Sequence, residues 1–169
     1  MRIEAIRGDI TVEPVDALVN AANNALARGA GVCGAIFAAA GPELDRACAE
    51  IGGCATGDAV LTSGFGLRAR WIVHTVGPVW HGGDRGEPEL LASCYRRSIE
   101  VARAAGAASI AFPAISTGIY GYPSRDAARI AVATVRAAGA GAFDLVRLVA
   151  FDEATLQIYR ELLAEPGCD

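Results

Sequence analysis

The sequence predicts an α/β protein: a three-layer α/β/α domain built on a mixed, mostly parallel central sheet. Three observations carry that reading. Six short apolar runs bounded by Gly, Pro, Asn or Asp alternate along the chain with stretches of helical period. The 169 residues suit one ordinary domain, expected over residues 1–165 with a short tail at 166–169. A hydrophobic fraction of 53% supplies the apolar surface that two helical layers need.

The first element is the alternating run Arg2 to Arg7, which suits an edge strand and lacks the apolar core of a signal peptide. Strands follow at Asp16 to Val19, Ala59 to Thr62, Trp71 to Val76, Ser109 to Ile115 and Leu145 to Phe151. Shorter helices are expected at Val32 to Ala40, Glu43 to Ile51 and Glu153 to Leu163. Between Glu87 and Ala105, the spacing puts Leu91, Cys94, Tyr95, Ser98, Val101, Ala102 and Ala105 on one helix face, with Gly106 as its stop. Asp126 to Ala138 repeats the device, with Gly139 placed after its end. The stretch His81 to Gly86 reads as a polar, mobile surface loop.

Composition removes several function classes. Net charge is −4, there is no lysine, and the 15 basic residues are scattered arginines, which disfavours broad electrostatic binding to nucleic acid. Without lysine there is no Walker-type phosphate contact and no Schiff base, so bound phosphate must rest mainly on backbone N–H groups. Cys33, Cys48, Cys54, Cys94 and Cys168 form an odd set without a CxxC pair or a histidine cluster. They read as reduced thiols with no disulfide framework or metal site, consistent with a cytoplasmic, membrane-free protein.

Two segments carry the chemistry. All three asparagines, Asn20, Asn23 and Asn24, follow the apolar run Ala17-Leu18-Val19, and Gly29-Ala30-Gly31-Val32-Cys33-Gly34 comes next. Amide groups and glycine-exposed N–H groups at the end of a strand suit a ribose and a phosphate. Gly29, Gly31 and Gly34 satisfy GxGxxG, but the dinucleotide fingerprint fails: Ala21 to Arg28 intervenes, and Glu43, Asp45 and Glu50 belong to a helix. The second segment, Ser116-Thr117-Gly118-Ile119-Tyr120-Gly121, also joins a strand to a helix. Together they suit one polyanionic ligand. His74 lies inside a strand and reads as structural, while His81 reaches a ligand only if its loop folds over the cleft.

These segments, taken with Gly8-Asp9-Ile10-Thr11, Val19-Asn20-Ala21-Ala22-Asn23, Ala38-Ala39-Ala40-Gly41, His74-Thr75-Val76-Gly77-Pro78 and Pro113 to Gly121, resemble a macrodomain along essentially the whole chain. The resemblance is nearest to MacroD-type ADP-ribosyl hydrolases and O-acetyl-ADP-ribose deacetylases. It implies that Asp9 accepts a hydrogen bond from the adenine amino group with the Ile10 backbone beside it, and that Phe151 walls the adenine and ribose. It further implies that N–H groups of Thr117, Gly118, Ile119 and Tyr120, in the loop opened by Ser116, surround the diphosphate. Tyr120 covers the second ribose and Asn23 bonds its hydroxyls. Asn20, Gly31, Val32 and Gly34 join the ligand-binding set, although Asn20 equally suits a local knit of the loop. Asp9 also suits a cap on the turn into Thr11, and Phe151 a place in the core.

The resemblance implies no cofactor and no metal, and as partners ADP-ribose, its acyl esters and mono-ADP-ribosylated proteins. It departs at Cys33, where such enzymes carry an aspartate assigned to the hydrolytic water. Three readings stay open: Cys33 as nucleophile, Cys33 inert while substrate phosphate positions water, or hydrolysis lost and only a reader of ADP-ribose left.

Overall fold

The computed structural model describes residues 1–167, so Cys168 and the end of the expected tail lie outside the described residues. The strands are β1 (Arg2–Arg7), β2 (Ala17–Ala21), β3 (Ala59–Ser63), β4 (Trp71–Thr75), β5 (Ser109–Pro113) and β6 (Leu145–Ala150). The helices are α1 (Gly31–Ala40), α2 (Pro42–Ile51), α3 (Glu87–Ala104), α4 (Ser124–Gly139) and α5 (Glu153–Ala164). A short 3-10 turn, Ile10–Val12, follows β1. The sheet order is β1-β6-β5-β2-β4-β3, and every pairing is parallel except β3 with β4. No helix among the described residues is long and apolar enough to cross a membrane.

Period-two alternation divides the core between the two faces. Val19, Val73, Phe112 and Leu148 pack toward α3, α4 and α5, while Leu18, Ile72, Ala111 and Val149 pack toward α1 and α2. The chain therefore leaves β2 toward one helical layer and leaves the neighbouring β5 toward the other. Where adjacent parallel strands part in this way, a crevice opens at their carboxyl ends.

Several boundaries shift for local reasons. β5 stops at Pro113 rather than Ile115, because the chain turns through Ser116 at φ 66. β6 stops at Ala150, and Phe151 leads into Asp152, which caps α5 by accepting from Thr155 N at 2.8 Å. Gly106, at φ 84, follows the end of α3 as the sequence predicts, but Gly139 lies inside α4. A Cβ at Gly139 would sit 2.8 Å from Met1 Sδ, so this glycine makes room for the first residue, and the chain turns at Gly141 with φ 73. The His81 to Gly86 loop is not left loose: the buried carboxylate of Glu87 accepts backbone N–H groups from His81, Gly83 and Arg85.

Asn20 and His74 face each other across the β2–β4 register, on the α1–α2 side of the sheet. Asn20 Nδ2 lies 3.1 Å from His74 Nδ1, and Thr62 Oγ1 on β3 lies 2.9 Å from His74 Nε2. Burial without an anionic partner lowers the imidazole to about 4. The fold thus selects neutral His74, whereas the unfolded chain takes up the proton near pH 6.5. Its contribution is complete above that pH, declines as pH falls toward 4, and is flat below. Denaturant unfolding of wild type and His74→Gln at pH 7 and pH 4.5 should show the stability gap between them narrowing by about 2 to 3 kcal/mol at the lower pH. A gap independent of pH would contradict the burial account.

Candidate functional site

The crevice at the carboxyl ends of β1, β6, β5 and β2 is a cavity of about 1070 Å³. At one end, parallel pairing of β1 with β6 brings Arg7 opposite Ala150, so Asp9 and Phe151 emerge side by side. Asp9 caps the 3-10 turn: its Oδ1 accepts from Thr11 N at 2.9 Å and Thr11 Oγ1 at 2.7 Å. Its other oxygen has no protein partner among the described residues, so capping and ligand binding are compatible. Phe151 is 84% exposed and Ile119 89% exposed, both against this cavity. Phe151 is therefore no core residue. Large apolar side chains left bare beside a polar cleft suit contact with a flat ligand.

The loop after β5 is closed by its own bonds. Thr117 N and Oγ1 donate to Ala114 O at 3.3 and 2.8 Å, Gly121 N to Gly118 O at 3.0 Å, and Tyr122 N to Ser116 O at 2.9 Å. Thr117 thus spends the N–H that the resemblance gives to a diphosphate. Among the described residues, Gly118, Ile119 and Tyr120 donate theirs to no protein group. A Cβ at Gly118 would meet nothing within 4 Å, so the residue borders open space. Ser116 Oγ, on the same wall, is buried and has no partner among the described residues. Gly77 allows the close approach beneath, because a Cβ there would collide with Ser116 Oγ and Ile115 Cγ2.

The opposite wall is the N-terminus of α1. Its N-cap, Ala30, offers no side-chain acceptor, so the first-turn N–H groups of Gly31, Val32 and Cys33 stay available to a ligand. Gly31, at φ 59, takes a backbone conformation that suits glycine. Gly34 was expected in the ligand set but does not line the cavity. A Cβ there would sit 2.5 Å from Gly29 O, so its role is to let the Asn23–Gly29 loop lie against the helix.

Of the three asparagines, only Asn23 reaches the cavity. Its amide is already engaged, accepting from Ala27 N at 3.0 Å and donating to Ala27 O at 2.9 Å, which leaves one lone pair and one N–H for a ligand. Asn20 is corrected from ligand contact to internal brace, since it is fully buried and bonded toward His74. Asn24 ties the loop to Cys54 O and Thr56 Oγ1. Cys33 lines the cavity, its Sγ 3.7 Å from Asn20 Nδ2 and 3.9 Å from Ala27 O. Neither neighbour is a base that could take the thiol proton, which removes support from the nucleophile reading.

Sequence reasoning missed Arg7, Gly77, Ser124, Asp152 and Thr155 on the cavity wall. The Asp-x-x-Thr cap at the start of α5 and the His74 to Pro78 segment that holds Gly77 were local signals; Arg7 and Ser124 had none. The acidic wall residues are Asp9 and Asp152, both at the β1–β6 end, so none stands with Asn23 and Cys33. His81 is not on the wall, and no group of three His, Cys, Asp or Glu residues among the described ones could hold a metal ion.

Both the sequence and the fold have known relatives. The Macro domain family model matches residues 19–131. A macro domain-containing protein of Chlorobaculum tepidum is 54% identical over 164 residues, covering 96% of this chain and 95% of the relative. A protein of Klebsiella pneumoniae named O-acetyl-ADP-ribose deacetylase is 53% identical over 167 residues, with 95% of each covered. A mutant Oceanobacillus iheyensis macrodomain with ADPR superposes at TM-score 0.91, with 45% identity over 95% of this chain and 91% of that one. With the family model spanning more than half its length and relatives above 50% identity along nearly all of it, this chain belongs to the macro domain family.

Proposed function

We propose that the cavity binds ADP-ribose and that the protein hydrolyses acyl esters of its distal ribose, as in O-acetyl-ADP-ribose or a mono-ADP-ribosylated acidic side chain. The observation that carries the reading is the pair of donor sets on one cavity. Gly118, Ile119 and Tyr120 on one wall and the first turn of α1 on the other hold unspent N–H groups, and the basic side chain on the wall is Arg7 at the far end. A diphosphate held between them leaves adenine to Asp9 and Phe151 and the acylated ribose to Asn23 and Tyr120. The Klebsiella protein's name supports the activity, and the Oceanobacillus macrodomain solved with ADPR supports the ligand.

Hydrolysis then rests on positioning. Water attacks the acyl carbonyl carbon, the bond from that carbon to the ribose oxygen breaks, and the ribose hydroxyl takes up a proton as the carboxylate leaves. With no carboxylate beside Asn23 and Cys33, the water is oriented by the bound diphosphate. The same absence favours a second reading, a module that binds ADP-ribose without turning its esters over. Product analysis with O-acetyl-ADP-ribose and with glutamate-linked ADP-ribosylated protein separates the two: release of free ADP-ribose establishes the enzyme, and binding without release establishes the reader.

Gly118→Glu should fold normally, because its side chain enters open space, yet lose on the order of a hundredfold or more in ADP-ribose affinity by calorimetry, through bulk and like charge in the cradle. Normal affinity in the folded variant would move the anion site elsewhere. Asp9→Ala should cost about 1 to 3 kcal/mol of binding and leave saturated turnover unchanged. A fall in saturated turnover with binding intact would assign Asp9 to the chemistry. Cys33→Ala should keep most of the turnover, whereas Asn23→Ala should lose about tenfold or more. A folded, ligand-binding but inactive Cys33→Ala would return the thiol to the mechanism.

A further inference from the structure

Resting on that reading of the cavity, we propose that Glu87 is a positioning residue for the diphosphate: through Trp80 it holds the Gly118–Tyr120 donors in place without touching the ligand. Glu87 opens α3, is 1% exposed, and is absent from the cavity wall. Its Oε2 accepts from His81 N at 3.0 Å and Gly83 N at 2.8 Å, and its Oε1 from Arg85 N at 2.6 Å. Burial pushes the carboxyl upward, but these backbone donors outweigh it and hold the group down to about 2, so it is a carboxylate throughout the working range. The segment that sequence alone reads as a free surface loop is thereby wound around one buried anion.

What this winding fixes is Trp80. A Cβ on Gly83 would lie 2.9 Å from the outer edge of the indole, so the loop backbone packs directly on the ring. The Trp80 ring meets Tyr122 at a centroid distance of 4.5 Å. Trp80 N donates to Tyr120 O at 2.8 Å, and Tyr122 N closes the anion loop onto Ser116 O. Trp80 therefore joins the carboxylate-wound loop to Tyr120, which ends the donor run, and to Tyr122, which closes the loop behind it. The three donor N–H groups make no bonds of their own among the described residues, so their direction depends on such bracing. Loss of the brace costs affinity by adding conformations that binding must then remove.

The test compares wild type, Glu87→Gln and Gly83→Ala against ADP-ribose and ADP by calorimetry and against adenosine by NMR titration, with folding checked by circular dichroism. In Glu87→Gln an amide N–H₂ faces backbone donors, and in Gly83→Ala a methyl meets the indole at a backbone φ of 94 that also strains the loop, so each variant loosens the same brace from a different side. Each variant should weaken ADP-ribose and ADP about tenfold and leave adenosine within about twofold. Equal losses for all three ligands, or an unchanged ADP-ribose affinity in either folded variant, would overturn the positioning role. If Glu87→Gln fails to fold, Gly83→Ala decides alone. Wild type failing to bind ADP-ribose would overturn the cavity reading itself, whereas wild type binding with unaltered variants overturns only the role of Glu87.

Discussion

Parallel pairing of β1, β6, β5 and β2 sends four strand ends to one side of the molecule, and the divergence of β2 and β5 toward opposite helical layers keeps their following loops apart. Each of those loops ends with backbone donors that the fold itself cannot use. An N–H left without a partner is costly when buried, so it must face water or a ligand. The cavity is the consequence: α1 begins there without a cap, and the loop after β5 closes on itself while leaving Gly118, Ile119 and Tyr120 unpaired. In a chain without lysine, these neutral donors supply the electrostatics a diphosphate needs.

The supporting interactions are polar and internal. Asn20, Thr62 and His74 link three strands behind Cys33, and Asn23 and Asn24 shape the loop that carries the chain into α1. Glu87 accepts the backbone N–H groups of the loop after Trp80, whose own N–H donates to Tyr120 O. The cluster of asparagines that marks this region in the sequence is therefore mostly scaffold. One amide, that of Asn23, faces the cavity, and it divides its hydrogen bonds between Ala27 and whatever the cavity holds.

The site has a chemical asymmetry. Its carboxylates, Asp9 and Asp152, stand with Phe151 at the β1–β6 end, while Asn23, Cys33 and the donor-rich walls carry no acid. Groups suited to a heteroaromatic base and groups suited to phosphate thereby lie apart along one cleft. Any hydrolytic step at the Asn23 end relies on orientation more than on proton transfer by a side chain. Among the described residues, the hydrogen-bond partners of Cys33 are an amide and a carbonyl, which suits a small wall residue.

The sequence by itself determined the alternation of strands and helices, the single layered sheet, the glycine-bearing turns and the segments that meet at the site, because periodicity, turn chemistry and the missing lysine are local properties. It placed Asp9, Asn23, Cys33, Gly118 and Phe151 near ligand chemistry, and the fold brings all five to one cavity. Only the tertiary structure decided which groups remain free to bind. Asn20 and Gly34 sit in the right segments, yet one is bonded toward His74 and the other lies under Gly29 O, since side-chain direction and close backbone approach depend on neighbours far along the chain. Thr117 spends its N–H on Ala114, and Arg7, Gly77, Ser124 and Asp152 come together on the wall from segments far apart in the chain. In the sequence Glu87 only marks the start of a helical span, because a carboxylate's backbone partners are set by how a loop winds around it, and no residue pattern records that.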